Sequence, residues 1–155
     1  MLKLIGGMAV MISCSLCASY ITSLEKRKIE QTEAFIELIK HIRNQIDCYS
    51  MPIEKIFLSA KDMLLKLGIE KEIRTFSDLL SECEIESGEE AKKTLNTFAE
   101  SLGKGYRENQ VKMCDGVLSE LEVIRKKLTD AYPSKKKTTA ALCFAGGGAL
   151  LIALL

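Results

Sequence analysis

Charged residues are absent from the two ends of the chain and frequent between them. Residues 4–24 contain no Lys, Arg, Asp, Glu or His, and residues 138–155 contain none either. As α-helices, which rise about 1.5 Å per residue, these stretches are about 31 Å and about 27 Å long. Both lengths are close to the roughly 30 Å of a bilayer hydrocarbon core. The pattern predicts a transmembrane anchor over residues 1–24, a second over 138–155, and a soluble segment over 25–137.

The apolar residues of the middle segment recur at steps of three and four, the spacing of amphipathic helices. The first helix continues from the N-terminal anchor. The second begins at Pro52 and stops at Gly68, as suits a proline in a first turn and a glycine after a last one. We expect Ser87 to cap the fourth helix and the fifth to end near Pro133. The five apolar faces begin and end at Ile29 and Tyr49, Ile53 and Leu67, Ile69 and Cys83, Ala91 and Leu102, and Val111 and Ala131.

Five amphipathic helices with short connections indicate one architecture. The prediction is an all-α fold, an antiparallel helical bundle flanked by N- and C-terminal transmembrane helices. The middle segment has 113 residues, enough for one hydrophobic core and too few for two.

The charge balance bears on partners and orientation. Of 22 basic residues, Lys3 alone lies outside residues 25–137, so this segment holds 21 basic residues against 21 acidic ones. A neutral domain has no general attraction for phosphate backbones, which argues against nucleic acid as a partner. Cations flank both anchors on the inner side, at 26–28 and 135–137. Because cations concentrate on the cytoplasmic side of membrane proteins, we expect two spans with the central domain in the cytoplasm.

A cleaved signal peptide is the alternative interpretation of the N-terminus, because it shares a basic start and an apolar core with an anchor. Cys17 and Ser19 are small enough for a cleavage site. Cleavage would reverse the topology. The apolar run continues to Leu24, however, and is longer than the roughly 7–15 residues of a signal core, which favours an anchor.

Residues with catalytic or metal-binding potential are scattered. His41 is the only histidine, and the six cysteines are spread over the anchors and the helices. Cys14 and Cys17 form a C-x-x-C pair, but it falls within the first anchor and lacks the second half of a zinc site. The carboxylates lie on polar helix faces, without the burial that tunes a catalytic pair. The sequence therefore predicts no catalytic residue, no cofactor and no metal, and a binding function rather than an enzymatic one.

Small residues repeat every four positions in both anchors, a spacing that lets membrane helices approach closely. The sequence leaves open whether these faces pair within the chain, between copies in a homo-oligomer, or with a partner span. The heptad-like first and last helices offer further surfaces for self-association. The repeats are Ala141, Ala145, Ala149 and Ala153 in the second anchor, and Ala9, Ser13 and Cys17 in the first.

Several local features resemble the stage III sporulation protein AB family of endospore-forming bacteria, and the resemblance covers essentially the whole chain. They include the opening Met1 to Gly6, Gln45-Ile46 followed by Pro52-Ile53, and Leu102-Gly103 with Gln110 seven residues beyond the glycine. The two-anchor plan agrees as well. The chain departs from the family pattern at Tyr106, where an acidic residue is common, and it lacks a Leu-Gly that often precedes the last anchor.

The resemblance implies a non-enzymatic membrane component of the channel between mother cell and forespore, in the outer forespore membrane on the mother-cell side. Family members resemble the cytoplasmic helical domain of type II secretion platform proteins. Their implied partners are membrane lipid and other stage III sporulation channel proteins, including a secretion-type ATPase. The implied role is a scaffold whose anchors fix the bundle under the channel while its outer face docks the ATPase.

Tyr106 and Arg107 are the residues that we select as a candidate partner-binding site. They fall in a predicted loop before the longest helix, and aromatic residues and arginine are enriched in interface hot spots. Two other function classes remain. A holin-like pore would explain paired spans, although it does not need a patterned bundle. A membrane thiol oxidoreductase would give Cys14 and Cys17 a purpose.

Overall fold

The computed structural model describes the backbone of residues 2–49 and 51–154, and the side chains of residues 12–49 and 51–149. Every regular element in these ranges is an α-helix, which confirms the all-α fold class. The helices are α1 (Leu2–Tyr49), α2 (Ile53–Ser59), α3 (Lys61–Lys66), α4 (Phe76–Glu82), α5 (Glu89–Ser101) and α6 (Arg107–Leu154). The chain divides into two compact units. One is Lys28–Lys127, and the other is formed by the two ends, up to Arg27 and from Leu128 onward.

The unit Lys28–Lys127 is a helical bundle whose side-chain contacts run in antiparallel order. Lys66 of α3 reaches Glu37 of α1, and Thr94 of α5 donates a hydrogen bond to Glu120 of α6. Ion pairs join α1 to α6 at successive levels, between Glu33 and Arg125, Lys40 and Glu122, and Arg43 and Asp115. Because residue numbers fall along α1 as they rise along α6, the two helices run in opposite directions.

Three phenylalanine rings connect the short helices to α5 in the core. Phe76 lies with its ring centroid 4.9 Å from that of Phe98, edge to face at 89°, and 6.3 Å from that of Phe57. All three side chains are at most 2% exposed. Such tilted and edge-to-face pairs are preferred over stacked ones because of the ring quadrupole. The largest fully buried aliphatic side chains among the described residues are Leu38, Ile39, Ile42, Ile56, Leu79, Leu95 and Leu121.

Two of the predicted helices are shorter than the apolar spacing suggests. The second is divided at Ala60 into α2 and α3, and it stops at Gly68, whose φ of +79° fits the predicted C-terminal glycine. The third begins only at Phe76, because Thr75 and Asp78 form a capping box that fixes the helix start there. Ile69 and Ile73 are buried, but the backbone at both residues is non-helical. The helix predicted from their spacing of four was therefore wrong.

Ser87 does not cap the fourth helix, and Gly88 holds that position instead, with φ +104°. The Ser87 side chain is buried and donates a hydrogen bond to Gln31 Oε1 over 3.1 Å, while Thr32 Oγ1 lies 2.9 Å from Ser87 Oγ. The Gln31 side chain also bonds to the backbone of this segment. It accepts a hydrogen bond from the Glu86 N–H and donates one to the Glu84 carbonyl oxygen. The cap prediction was wrong because the Ser87 hydroxyl, which a cap would have used, is hydrogen-bonded to Gln31 and Thr32 of α1.

The fifth helix does not end near Pro133, because α6 passes through this proline and continues to Leu154. A proline inside a helix removes one backbone donor and crowds the preceding turn, which destabilises a helix without always ending it. Thr138 donates a side-chain hydrogen bond to the Ser134 carbonyl oxygen in the turn that follows.

The unit formed by the two chain ends is a pair of helical segments joined by an ion pair. Lys135 Nζ of α6 lies 2.8 Å from Glu25 Oε2 of α1. Several large apolar side chains on both segments are exposed: Ile12, Leu16, Tyr20, Ile21, Leu142 and Phe144.

Within the residues described, no helix is both long enough and apolar enough to cross a bilayer. The predicted anchors over 1–24 and 138–155 lie partly outside the described side chains, at residues 1–11 and 150–155. The transmembrane assignment therefore stays a prediction.

Candidate partner-binding site

The loop between α5 and α6 depends on two glycines. Gly103 has φ +82° and Gly105 has φ +116°, in the region of backbone conformation that glycine adopts without steric cost. At Gly103 there is a second restriction, since a Cβ atom would lie 2.7 Å from Cδ1 of Ile53 on α2. The loop can approach α2 this closely because position 103 has no side chain.

Gln110, in the first turns of α6, holds this loop in place. Its side chain is 6% exposed. Oε1 accepts a hydrogen bond from the Gly103 N–H over 2.9 Å, and Nε2 donates to the carbonyl oxygens of Lys104 over 2.6 Å and Ser101 over 3.2 Å. One buried amide thus satisfies three backbone groups that the end of α5 and the turn leave without helical partners.

Tyr106 is the last residue of the loop and is 84% exposed. Its carbonyl oxygen accepts from the N–H groups of Asn109 and Gln110, which begin α6. The backbone of Tyr106 is therefore fixed by the helix start, while its ring lies in solvent. Because this backbone is already fixed, little backbone entropy is lost when a partner covers the Tyr106 side chain.

Arg107 begins α6 and contacts the end of α1. Its Nη2 lies 3.3 Å from Oδ1 of Asp47. Asp47 also pairs with Arg43, which in turn binds Asp115 through Nε over 2.7 Å. The hydrogen bond and the charge of Asp115 raise the pKa of the Arg43 guanidinium. These pairs are solvent-exposed, so each contributes little stability by itself, and Arg107 keeps donors available to a partner.

A shallow groove adjoins the two residues. It has a volume of about 500 Å³. Its walls combine apolar side chains from the end of α1 to the start of α2 with the glycine backbone of the loop and with the polar side chains of Glu54, Arg107 and Gln110. The lining includes Ile46, Met51, Pro52, Ile53, Gly103 and Gly105. Such a surface can accept an apolar side chain of a partner beside a charged contact.

The structure places Tyr106 at the end of the predicted loop and Arg107 at the first position of α6, and both are exposed. It adds Gln110, Asp47 and the groove, which sequence reasoning did not connect with them. The spacing of Gly103 and Gln110 was visible in the sequence, but its meaning as a loop clamp depends on the return of α6 beside α5. The pairing of Asp47 with Arg107 joins residues 60 positions apart, which no local pattern reveals.

The histidine and two of the cysteines make packing or hydrogen-bond contacts within the bundle. His41 Nε2 lies 3.0 Å from Ser59 Oγ. Cys114 is fully buried, and burial raises the pKa of its thiol to about 11. The Cys83 thiol also has a raised pKa because of burial, opposed by a hydrogen bond from Gln31. In the part of the chain that the structure describes, no three His, Cys, Asp or Glu side chains are grouped to hold a metal ion.

Comparison with protein families gives one finding that bears on the whole chain. Residues 3–155 match the family model of stage III sporulation protein AB. Neither the curated proteins nor the solved structures include a match to this chain.

Proposed function

The chain belongs to the stage III sporulation protein AB family, and we propose that it is a non-enzymatic, membrane-anchored scaffold of the channel complex between mother cell and forespore. Family membership gives it a role in stage III of sporulation. The finer proposal is that both chain ends span the outer forespore membrane, with the bundle on the mother-cell side, where it docks a secretion-type ATPase.

The exposed apolar surface of the terminal segments supports the membrane location. Leu16 and Leu142 are 66% and 67% exposed, and neighbouring apolar side chains on both segments are exposed with them. Large contiguous apolar surfaces are uncommon on proteins that are surrounded by water, and they mark contacts with lipid or with another protein. Helices whose ends lack charge over 21 and 18 residues suit the hydrocarbon interior.

The observation that carries the docking proposal is the clamped loop that presents Tyr106 beside Arg107. A partner that covers this surface finds an exposed aromatic ring, a guanidinium and an apolar groove on a backbone that Gln110 already fixes. Preorganisation of this kind lowers the entropy cost of association. Tethering at both ends then makes docking effectively intramolecular once the complex has assembled, so a moderate intrinsic affinity suffices.

The test is binding of the full chain, reconstituted in lipid nanodiscs, to the sporulation ATPase by titration at physiological salt. We expect saturable binding that weakens by about thirty-fold or more in the double variant Tyr106→Ala, Arg107→Ala, as for a hot-spot pair worth about 2 kcal/mol or more.

The matched control is Leu58→Ala with Lys61→Ala, which also removes one exposed apolar side chain and one cation. The control should bind as the parent does. Equal affinity of the parent and the Tyr106, Arg107 variant would exclude this surface. Absence of binding by a folded parent chain would remove the docking role and leave scaffolding through the terminal segments.

A further inference from the structure

The ion pair between Glu25 and Lys135 shows which sides of the terminal helical segments face each other. The two side chains meet over 2.8 Å, and that of Glu25 is only 18% exposed. At about 100° per residue, Arg27 is turned by about 200° from Glu25 around α1. Lys137 is turned by the same angle from Lys135 around α6. Arg27 and Lys137 therefore project away from the facing side, outward on both segments.

Three cations at this level have no partner among the residues whose side chains the structure describes. Arg27, Lys136 and Lys137 are exposed, and none forms an ion pair or a hydrogen bond with any residue that the structure describes. The nearest carboxylates along α1 are Glu25, which is occupied by Lys135, and Glu30, which lies three residues after Arg27, is exposed and forms no ion pair with it. Asp130 lies seven residues before Lys137, about 10 Å along the helix axis, where solvent and salt screen it.

These cations lie where the uncharged stretches end. Arg27 comes three residues after Leu24, and Lys137 directly precedes Thr138. In a helix that enters a bilayer, such positions reach the level of the lipid phosphates, and long basic side chains extend to them readily. Both segments lie in one compact unit, so the cations surround a single point of membrane entry.

We propose that Arg27 on α1 and Lys136 and Lys137 on α6 bind the phosphate groups of anionic phospholipids, each on its own segment, and gather these lipids around the terminal helices. The proposal rests on the membrane location proposed above and adds the class of lipid. Each basic residue beside a membrane surface favours anionic over neutral lipid by about five-fold. Arginine contributes a bidentate phosphate contact, and the lysines contribute point charges.

The experiment measures which lipids accompany the protein. The full chain is reconstituted in vesicles containing equal parts of phosphatidylcholine and phosphatidylglycerol, and is then extracted in mild detergent. The ratio of the two lipids bound to the chain is measured by native mass spectrometry. The parent should carry several-fold more phosphatidylglycerol than the bulk ratio predicts, and the excess should fall as salt increases.

The decisive variant is Arg27→Gln, Lys136→Gln, Lys137→Gln, in which the ratio should fall close to that of the bulk lipid. The control Lys92→Gln, Lys93→Gln, Lys112→Gln makes the same change of charge at exposed positions of α5 and α6 and should retain the excess. Equal ratios in the parent and the decisive variant would overturn the site. A chain that does not float with pure phosphatidylcholine vesicles would overturn the membrane location itself, whereas flotation without an excess of phosphatidylglycerol would overturn the lipid site alone.

Discussion

Gln110 accepts a hydrogen bond from the backbone N–H of Gly103 through Oε1 over 2.9 Å, although the two residues lie on opposite sides of a loop. The same side chain donates to two carbonyl oxygens of that loop. The position of the candidate partner-binding surface thus depends on one buried amide.

Replacement of Gln110 by Ala should lower the free energy of unfolding by about 1–3 kcal/mol, because it removes three hydrogen bonds between a buried side chain and the loop backbone. Chemical denaturation with an unchanged denaturant dependence would measure this loss. The neighbouring Asn109→Ala, at an exposed position, should change stability by less than about 0.5 kcal/mol. If Gln110→Ala were as stable as the parent, the loop would not depend on the amide.

Replacement of Gly103 by Ala tests two costs at once, a positive φ and the approach of Ile53. Gly68→Ala is the matched comparison, because Gly68 has φ +79° but no atom within 4 Å of the added Cβ. Both variants should lose about 1–2 kcal/mol from backbone strain. Gly103→Ala should lose more, and the excess should disappear in an Ile53→Val background, which removes Cδ1. If the extra loss of stability persisted in the Ile53→Val background, its cause would be a contact other than Cδ1 of Ile53.

Truncation of Phe76 should be among the most damaging changes in the bundle. Its ring packs against Phe98 and Phe57 and is 2% exposed, so Phe76→Ala removes a large buried volume and both ring contacts. We expect a loss of about 3–5 kcal/mol in the free energy of unfolding. Leu65→Ala, at a position 48% exposed, should cost less than about 1 kcal/mol. Similar losses in the two variants would contradict the aromatic core.

Burial of Cys114 predicts a dependence of stability on alkaline pH. The folded pKa of about 11 lies above the value of an unfolded thiol, near 8.5. The folded chain then binds more protons than the unfolded chain between these values, so this group's contribution is full below about pH 8.5 and decreases as the pH rises towards 11. Equilibrium unfolding across this range should show a shallower decrease for Cys114→Ala than for the parent.

Cys48→Ala is the control for this pH series, because Cys48 is an exposed thiol. Its profile should follow that of the parent. In native protein at pH 8, a maleimide reagent should modify Cys48 well before Cys114. Identical pH profiles for the parent and Cys114→Ala would show that the buried thiol does not couple to folding.

The sequence predicted the helices with continuous apolar faces well, and the irregular connections poorly. The buried residues of α5 were predictable from spacing alone, because residues three and four apart lie on one face of a helix. They are Ala91, Leu95 and Phe98. The spacing of Ile69 and Ile73 is equally regular, yet the capping box at Thr75 delays the helix, a local interaction stronger than periodicity. Helix-like spacing in so short a stretch also suits an extended loop that buries two anchoring side chains.

The candidate surface was only partly predictable. Loop position and residue type identified Tyr106 and Arg107, because both features are local. The role of Ser87 was misassigned for the opposite reason: its partners, Gln31 and Thr32, lie 56 and 55 residues earlier in the chain. Pairings over such separations are determined by the tertiary fold, and a hydroxyl before two glutamates does not show whether it will bind a helix N–H or side chains from a distant element.

The pairing of α1 with α6 has a consequence for the order of events during translation. The α1 residues that meet α6 are made first, and their partners follow 60 to 110 positions later. The side of α1 that meets α6 therefore lacks this partner until the ribosome has produced nearly the whole bundle. A nascent chain released early would leave Glu33, Lys40 and Arg43 without their α6 partners and that side of the bundle open to solvent. Premature termination before α6 should therefore yield fragments that aggregate or are degraded rather than a smaller folded domain.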